Sequence, residues 1–546
     1  MIKKIKFIVI LLISLLLIGC EGKKEPEHEH EYEKITEITE YINNEDVIIE
    51  YKCKICSEIK TENKGSIFTF SEKSDGVYIT RASYKFPQLK TVRLADTYNG
   101  KPVIGINNAV FRDLPELHTV IIPKSITKIT DHMFNGCPKV ENIYYEGTLN
   151  DWFKMKIEKE FFFNSQSYEH FYVKDENGEY IEVENLVIPE EVTHIGDYLF
   201  NSCKNIKSIE FHDKVESIGK GTFMKCTKIT SLVIPDSVTE IKGKAFDDCS
   251  VKTLVIPYID NFRYSAIGCL NCVEEVTLTK GKFINDKNDD ESEHVLIGFD
   301  YSFGLEKITI PSMINVIGEE AFCGCPKLKT IIFENANNIK RIEDRAFISC
   351  EALTSFVIPE SVVEIGESVF SNCTNLRTLT IPKSIKEFKA SILKSDMKLK
   401  DIYYDGTIED WCNIDFQDGS SCNPGGNAEN LYFKNENNEY YLVEEIVLPD
   451  TITRIGQYQF ARFNISGTII VPPSVKSIER AAFFSCENLE KIFIDKTVEF
   501  IDDSAFDYCN NLTIYCEYKS RPNTWHKNWC GRSKVVWNYK TVLDKE

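Results

Sequence analysis

Basic residues are a minority in this sequence of 546 residues, which has 64 Lys and Arg against 84 Asp and Glu and a formal charge of −20. Nucleic acids and anionic lipid headgroups attract basic surfaces, so this balance argues against both as partners. After residue 20 the sequence also lacks an apolar run approaching the roughly 20 residues of a membrane-spanning helix. We therefore expect the remainder to be soluble.

A catalytic constellation is also missing from the sequence pattern. An enzyme needs a nucleophile with its base, a pair of carboxylates in a cleft, or an open metal site. Repetition explains most positions of the nine histidines and the many carboxylates. We assign no catalytic residue and expect a protein that is not an enzyme.

The N-terminus has the layout of an export signal in residues 1–19, with three early lysines followed by an apolar run over residues 7–18. Its end, Leu17-Ile18-Gly19-Cys20, resembles a bacterial lipobox, which implies a lipid on Cys20. The alternative is an ordinary secretory signal with a chance cysteine. Because a polar tether follows, we expect a chain anchored to the cell membrane through Cys20 and exposed on the cell surface. Cleavage would remove three lysines and change the formal charge from −20 to −23.

One phrase recurs along most of the chain: Ile-Gly-x-x-x-Phe-x-x-Cys-x-x-Leu-x-x-Ile-x-Ile-Pro. Within each run its phenylalanines are 23 residues apart, with one step of 25, and they are Phe111 and Phe134; Phe200, Phe223 and Phe246; Phe322, Phe347 and Phe370; and Phe460, Phe483 and Phe506. A period in this range, with a short strand followed by a turn, is typical of one coil of a solenoid. We predict about thirteen coils over residues 67–513, with a curved sheet of short strands and a mostly irregular convex side.

The wording of this repeat resembles the Treponema pallidum-type leucine-rich repeats of BspA-like surface proteins over roughly 450 of the 546 residues. The phrases Tyr98-Asn-Gly-Lys-Pro-Val-Ile-Gly105 and Val535-Val-Trp-Asn-Tyr539 resemble the entry coil and the terminus of that family. The resemblance implies a leucine-rich-repeat solenoid on a cell surface that binds host matrix proteins, other bacteria or glycans.

Nine of the 19 cysteines stand three residues after the core phenylalanine or its equivalent. This cysteine column comprises Cys137, Cys203, Cys226, Cys249, Cys325, Cys350, Cys373, Cys486 and Cys509. Neighbouring members should lie about one strand spacing apart, but side chains that all point the same way do not form disulfides. We expect buried thiols that satisfy backbone groups in the bend, with metal or redox chemistry as the alternative.

Two aromatic stretches are expected to interrupt the stack as inserts over about residues 144–184 and 403–441. They contain Ile143-Tyr-Tyr-Glu-Gly-Thr-Leu-Asn-Asp-Trp152 and Ile402-Tyr-Tyr-Asp-Gly-Thr-Ile-Glu-Asp-Trp411, each followed by a hairpin pattern. Trp152 and Trp411 could form an aromatic ligand site. The preferred interpretation is that they cap an outward bulge.

Three further segments depart from the repeat. The acidic run 285–294, in an insert over about 282–300, could bind calcium, although a solvated insertion is preferred. In the segment 20–66, His28, His30, Cys53 and Cys56 could hold a structural zinc ion, and a Cys53–Cys56 disulfide is the alternative. In a C-terminal cap, residues 514–546, Cys516 and Cys530 are plausible disulfide partners.

The strand phrase also predicts which side chains face outward. The main outward column comprises Ile121, Glu210, Val233, Val255, Thr277, Thr309, Ile332, Val357, Thr380, Tyr403, Val447 and Phe493. A hydroxyl-rich column runs two positions upstream: Thr119, Ser208, Ser231, Thr253, Glu275, Lys307, Thr330, Ser355, Thr378 and Asp401. β-Branched residues are also simply good strand formers. Because contiguous exposed apolar surface marks interaction sites, we expect a protein ligand near the central coils, with Ile332, Val357 and Tyr403 contributing most and Thr380 and Val255 beside them.

Three functions remain open from the sequence. The first is an adhesin or protein-binding module for matrix proteins, serum proteins or neighbouring cells. The second is a glycan-binding or glycan-processing lipoprotein that uses the tryptophan-bearing inserts. The third is a structural envelope protein. No cofactor is expected apart from the possible zinc ion.

Overall fold

The computed structural model describes residues 31–34, 40–41, 48–54, 58–63, 67–82, 86–107, 110–130, 132–160, 168–260, 262–281, 293–393, 399–417 and 422–540. Within them the chain is a β-solenoid of about 18 turns with a spacing near 23 residues. The predicted solenoid is therefore confirmed. The predicted count of about thirteen coils is too low, because the aromatic inserts and the C-terminal segment also contribute turns.

One long strand from each turn lies in a face that we call the front sheet, in which successive turns pair in parallel. Its strands are Thr91–Arg93, Thr119–Ile122, Asn142–Tyr145, His170–Lys174, Asn185–Val187, Ser208–Glu210, Ser231–Val233, Thr253–Pro257, Glu275–Thr279, Lys307–Ile310, Thr330–Phe333, Ser355–Val357, Thr378–Ile381, Leu399–Tyr404, Ala428–Lys434, Gly467–Ile470, Leu489–Ile494, Thr513–Cys516 and Lys534–Trp537. Short strands Tyr180–Glu182 and Tyr440–Leu442 add antiparallel hairpins. In the described residues the front sheet falls into five hydrogen-bonded blocks.

A second ladder of mostly two-residue strands runs behind the front sheet. It comprises Lys101–Ile106, Lys128–Ile129, Lys156–Ile157, His194–Ile195, Ser217–Ile218, Glu240–Ile241, Val295–Leu296, Val316–Ile317, Arg341–Ile342, Glu364–Ile365, Glu387–Phe388, Asp415–Phe416, Arg454–Ile455, Ser477–Ile478 and Phe500–Ile501. A hairpin of Phe68–Lys73 and Gly76–Ala82 leads into it. The isoleucines before glycine that face inward and are buried here are Ile195, Ile218, Ile317, Ile365 and Ile455.

The glycine of that phrase is required by close packing between turns. A Cβ at Gly366 would lie 2.5 Å from the backbone nitrogen of Asp344 in the preceding turn, and one at Gly219 would lie 2.5 Å from the carbonyl carbon of Gly196. Neither glycine has a φ in the left-handed region, so close approach between turns and not backbone conformation requires it. The bends instead use left-handed residues just before the column cysteines, such as Ser349 and Asn372 with φ of 60° and 61°.

The core lies between the two ladders and is filled by stacked phenylalanines. Phe322, Phe347 and Phe370 have ring centroids 5.3 and 5.8 Å apart with nearly parallel planes. One turn cannot bury its apolar face alone, so each turn derives its stability from its neighbours.

The helices are short. Two α-helices, α1 (Leu149–Phe153) and α2 (Ile408–Cys412), lie in the aromatic stretches. The 3₁₀ helices are Tyr264–Ile267, Ala336–Asn338 and Pro424–Asn427. Among the residues described, the longest helix is far below the length that a membrane crossing requires.

Candidate binding surface

The side chains predicted to face outward on the front sheet do so. Every member of the main outward column is exposed or half-buried, whereas inward neighbours such as Ile308 and Ile310 are buried. The parallel register sets Thr309 beside Ile332 and Thr380 beside Tyr403. The hydroxyls of Thr253 and Ser231 are 2.9 Å apart on adjacent strands. The result is a broad surface of β-branched and hydroxyl side chains.

A cleft interrupts this surface between two of the strongest candidate residues. In the described chain, the strand Thr330–Phe333 pairs only with the strand before it and Ser355–Val357 only with the strand after it. A cavity of about 540 Å³, which we call the central cleft, lies between them. Ile332 is 41% exposed on one side and Val357 is 64% exposed on the other.

Apolar side chains form most of the walls of the central cleft. In the preceding strand the inward residues are fully buried. The equivalent residues Ile331 and Phe333 are only half-buried, because the cleft exposes one flank of each. Phe356 forms the opposite wall and packs between Phe347 and Phe370, 5.1 and 5.0 Å away.

The turn with the 25-residue step borders the central cleft. It contains the 3₁₀ helix Ala336–Asn338, which lines the cleft, and the Asn335 side chain accepts a hydrogen bond from the Asn337 N–H at the start of that helix. Ser361 of the next turn donates to the carbonyl oxygen of Ala336. This turn therefore has a different path from its neighbours at the point where the ladder stops.

Stacked aromatic side chains project from the front sheet at both aromatic stretches. Tyr144 and Tyr172 stack with centroids 4.3 Å apart, and Tyr180 meets Tyr144 edge-on at 5.0 Å. Burial raises the pKa of Tyr172 and of Tyr180 to about 12. Both phenols are therefore neutral hydrogen-bonding groups at physiological pH.

The same arrangement recurs around a residue that the sequence singled out. Tyr403 stacks on Tyr432 at 4.6 Å, and Tyr440 meets Tyr403 edge-on at 5.0 Å. At the C-terminal end, Phe493 stacks on Tyr515 at 4.7 Å.

Several outward residues were missed by the sequence reasoning. Tyr144, Tyr432, Val187 and Ile470 pair in register with members of the main outward column, and Tyr172 pairs with Tyr144. The same alternation of inward and outward positions would have identified them. The tyrosines were overlooked because the aromatic stretches were treated as inserts outside the sheet.

Both interpretations of the tryptophans are corrected by the structure. Trp152 and Trp411 are fully buried, so neither contacts a ligand at the surface and neither caps an outward bulge. The indole of Trp152 donates to the carbonyl oxygen of Leu199, and that of Trp411 to the carbonyl oxygen of Gln459, each at 3.0 Å. They are core residues that connect one turn to a later one.

The cysteine column is buried as predicted, and its members are free cysteines. Seven of them donate to the carbonyl oxygen of the core aromatic residue one turn earlier, at 3.0 to 3.3 Å: Cys226, Cys249, Cys325, Cys350, Cys373, Cys486 and Cys509. Burial raises the pKa of Cys325 and of Cys373 to about 12, which keeps these thiols protonated. Each thiol therefore links two turns through backbone hydrogen bonding.

The expected closing disulfide is wrong, because Cys516 and Cys530 are free cysteines. The C-terminal end is instead closed by packed indoles: the centroids of Trp525 and Trp529 are 4.9 Å apart, and Trp537 lies 6.2 Å from each.

The remaining candidate residues lie largely outside the described residues. This holds for Cys20, His28, His30 and Cys56. Cys53 ends the strand Ile48–Cys53, whose side chains are not described. Of the acidic run only its last two residues are described, and there Glu293 pairs with Arg341 at 2.6 Å. Across the described ranges no three His, Cys, Asp or Glu side chains are placed to hold a metal ion. Zinc and calcium binding therefore stay predictions.

Comparison with known proteins identifies the repeat. The family model of the BspA type leucine rich repeat region matches residues 64–182, 177–271, 298–423 and 433–521, in six copies. A leucine-rich repeat protein from Bacteroides ovatus is 17% identical, over 86% of this chain and 97% of its own, with a TM-score of 0.37. A leucine rich cell surface protein from Faecalibacterium prausnitzii is 19% identical over 86% and 97%, with a TM-score of 0.34. A Leucine Rich Repeat protein from T. pallidum is 17% identical over 57% and 88%, with a TM-score of 0.19. The curated proteins contain no match.

Proposed function

The chain belongs to the family of BspA-type leucine-rich repeat proteins, and on that premise we propose that it is a surface-exposed binding protein whose protein ligand docks on the front sheet at the central cleft. One observation carries the proposal. Ile332 and Val357 are exposed on the two sides of a cleft with apolar walls, on a surface otherwise made largely of hydroxyl and β-branched side chains. An exposed apolar patch with a polar surround is typical of protein interaction sites.

Binding, and not catalysis, is the proposed role. The two outward columns present mainly hydroxyls, branched aliphatic side chains and aromatic rings, which recognise other surfaces through shape and desolvation.

The binding experiment screens the full-length chain against matrix and serum proteins beside a glycan array. Any protein ligand found is then tested with Ile332→Glu and Val357→Glu, which place a charge on either side of the central cleft. Val233→Glu is the matched control, since Val233 is 57% exposed in the same column but remote from the cleft. We expect the two cleft variants to fold and lose binding, and the control to bind as before. Equal binding by all three would contradict the assignment of the site.

A second candidate function is glycan binding through the tyrosine stacks. The stacked pairs on the front sheet give this candidate a structural basis that the buried tryptophans do not. Tyr172→Ala and Tyr432→Ala should then remove the glycan-array signal and leave a protein ligand bound.

Attachment to the membrane through Cys20 is part of the proposal and is supported by the sequence of the export signal. Cys20→Ala should release the chain from the membrane or stall its processing. Recovery of that variant in the detergent phase would contradict lipid anchoring at this residue.

A further inference from the structure

A second and larger cleft lies where the front sheet is interrupted after the second aromatic stretch. It has a volume of about 790 Å³ and lies between the strand Ala428–Lys434 and the turn that contains Phe463. Its rim carries the carboxylates of Glu429, Glu444, Glu445 and Glu490, and among the described residues its lining contains neither lysine nor arginine. We call it the acidic cleft.

The chain contains a matched site in the first aromatic stretch. Trp152 donates to Leu199 and Trp411 donates to Gln459, so Leu199 and Gln459 occupy equivalent positions. Counting along the chain from these two residues, Asn464 is equivalent to Lys204 and Gly467 to Lys207. Strand register aligns Phe171 with Leu431, because they pair with Ile143 and Ile402 of the two duplicated phrases. Glu429 therefore corresponds to Glu169.

Glu444 corresponds to Glu184 by the same alignment. The N–H of Val183 donates to the carbonyl oxygen of Phe171 and that of Val443 to the carbonyl oxygen of Leu431, both at 2.8 Å. Each of these valines directly precedes its glutamate.

The two sites differ in how those carboxylates are neutralised. In the first, Lys204 pairs with Glu169 and Lys207 with Glu184, each at 2.9 Å. In the second, both glutamates are retained and both lysines are absent. Neither Glu429 nor Glu444 has an ion-pair partner within the described part of the chain, and both are exposed. Two carboxylates thus keep their positions without the cations that occupy the sister site.

The two sites also differ in the contacts that join the strand to the later turn. Buried Asn205 donates to Glu182 and to the carbonyl oxygen of Val183, at 3.0 and 3.1 Å, and a backbone bridge joins Tyr168 to Cys203. The second site lacks the side chains that make these contacts. The equivalent residues there are Ile465 for Asn205, Leu442 for Glu182, Ala428 for Tyr168 and Phe463 for Cys203. The N–H of Ala428 instead donates to the carbonyl oxygen of Gly425.

We propose that the acidic cleft binds an extended segment of a partner protein that carries two lysine or arginine side chains three residues apart. This is the spacing of Lys204 and Lys207, whose ammonium groups pair with the equivalent glutamates in the first site. The half-buried and exposed apolar lining, including Ala428 and Leu442, would pack against the stems of those side chains. Charge complementarity favours a basic ligand, since the described lining of the cleft supplies four carboxylates and no cation.

The test measures fluorescence anisotropy of a labelled peptide with two lysines separated by glycine and serine, added to the full-length chain. A peptide with glutamine at both lysine positions is the ligand control. We expect preferential binding of the dibasic peptide, weakened by salt. The double variant Glu429→Gln with Glu444→Gln should weaken it about tenfold, as expected for two partly exposed charge pairs. Its matched control, Glu169→Gln with Glu184→Gln, should leave the affinity unchanged.

A third variant introduces a lysine of the chain itself into the acidic cleft. Asn464→Lys places an ammonium group where Lys204 lies in the sister site, so it should pair with Glu429 and abolish peptide binding. Binding without preference for the dibasic peptide, equal loss in both double variants, or undiminished binding by Asn464→Lys would each overturn the proposal. Displacement of the peptide by spermidine at equal concentration would assign the cleft to small polycations instead. Val357→Glu should not affect this assay, which separates the acidic cleft from the central cleft.

Discussion

The first tryptophan module, residues 142–187, and the second, residues 399–448, share an interior and differ at the rim. In α1, Thr148 and Asp151 form a capping box, and Thr407 and Asp410 form the same box in α2. Each module buries one tryptophan, stacks two tyrosines on the front sheet and ends in a hairpin.

The rims of the two modules use different charges. Glu146 pairs with Arg93 at 2.7 Å in the first, whereas the corresponding Asp405 pairs with Lys434 at 2.8 Å in the second. The contrast at Glu169 and Glu429 is greater, because only the first has an internal cation. Buried groups need one geometry and their full set of hydrogen bonds, whereas exposed charges contribute little to folding and can change. The interior thus preserves the fold, whereas the charges at the rim differ between the two modules.

The largest effect should come from removing the buried indoles. Trp152→Ala and Trp411→Ala should each lower the free energy of unfolding by about 3–5 kcal/mol, through lost packing and an unpaired carbonyl oxygen. Because both indoles are fully buried with one hydrogen bond of 3.0 Å, we expect similar losses. Urea denaturation followed by hydrogen exchange of each module would measure them. A clearly smaller loss in one module would show that the two interiors are not equivalent.

A smaller and equally symmetric effect is expected at the helix caps. Thr148 accepts from the Asp151 N–H at 3.3 Å, and Thr407 from the Asp410 N–H at 3.2 Å. Thr148→Ala and Thr407→Ala should each cost about 1 kcal/mol, while serine, which keeps the acceptor, should cost less. Urea midpoints of the four variants test this. If serine destabilised as much as alanine, the methyl group and not the hydroxyl would be the important contact.

The repeat itself was predictable from the sequence because a 23-residue period leaves few alternatives. The phenylalanine stacks, the buried cysteine column and the outward columns all followed from positions in the phrase. The two tryptophan modules were wrongly predicted to be inserts. Tyr145 and Trp152 depart from the sequence of the repeat phrase, although the strand of the repeat is retained. The clefts were not predicted, because they lie where ladder pairing stops, and the repeat phrase does not show which neighbouring strands fail to pair.

Alkaline pH should separate the edge-on tyrosines of the two modules. Burial raises the pKa of Tyr180 to about 12, and burial with a hydrogen bond to Asp405 also raises the pKa of Tyr440. An unfolded tyrosine titrates near pH 10. The stabilisation from each neutral phenol is therefore full below about pH 10 and is lost as the pH rises through the folded pKa. Tyrosinate absorbance of Tyr180→Phe and Tyr440→Phe would assign each titration, and we expect Tyr440 to ionise at the higher pH. The reverse order would show that the contact with Asp405 does not persist in solution.

The smallest effect tests whether charge alone distinguishes the two rims. Lys204→Asn gives the first module the residue that the second has at Asn464 and leaves Glu169 without its cation. Since Lys204 and Glu169 are both partly exposed, stability should fall by less than about 1 kcal/mol. Affinity for the dibasic peptide should not appear, because buried Asn205 and the backbone bridge between Tyr168 and Cys203 still close the site. Anisotropy with the same peptide measures this, in a chain that also carries Asn464→Lys, which should abolish binding at the acidic cleft, so that only the first module can respond. If the peptide bound there, unpaired carboxylates would suffice for binding, and the cleft of the second module would not be required.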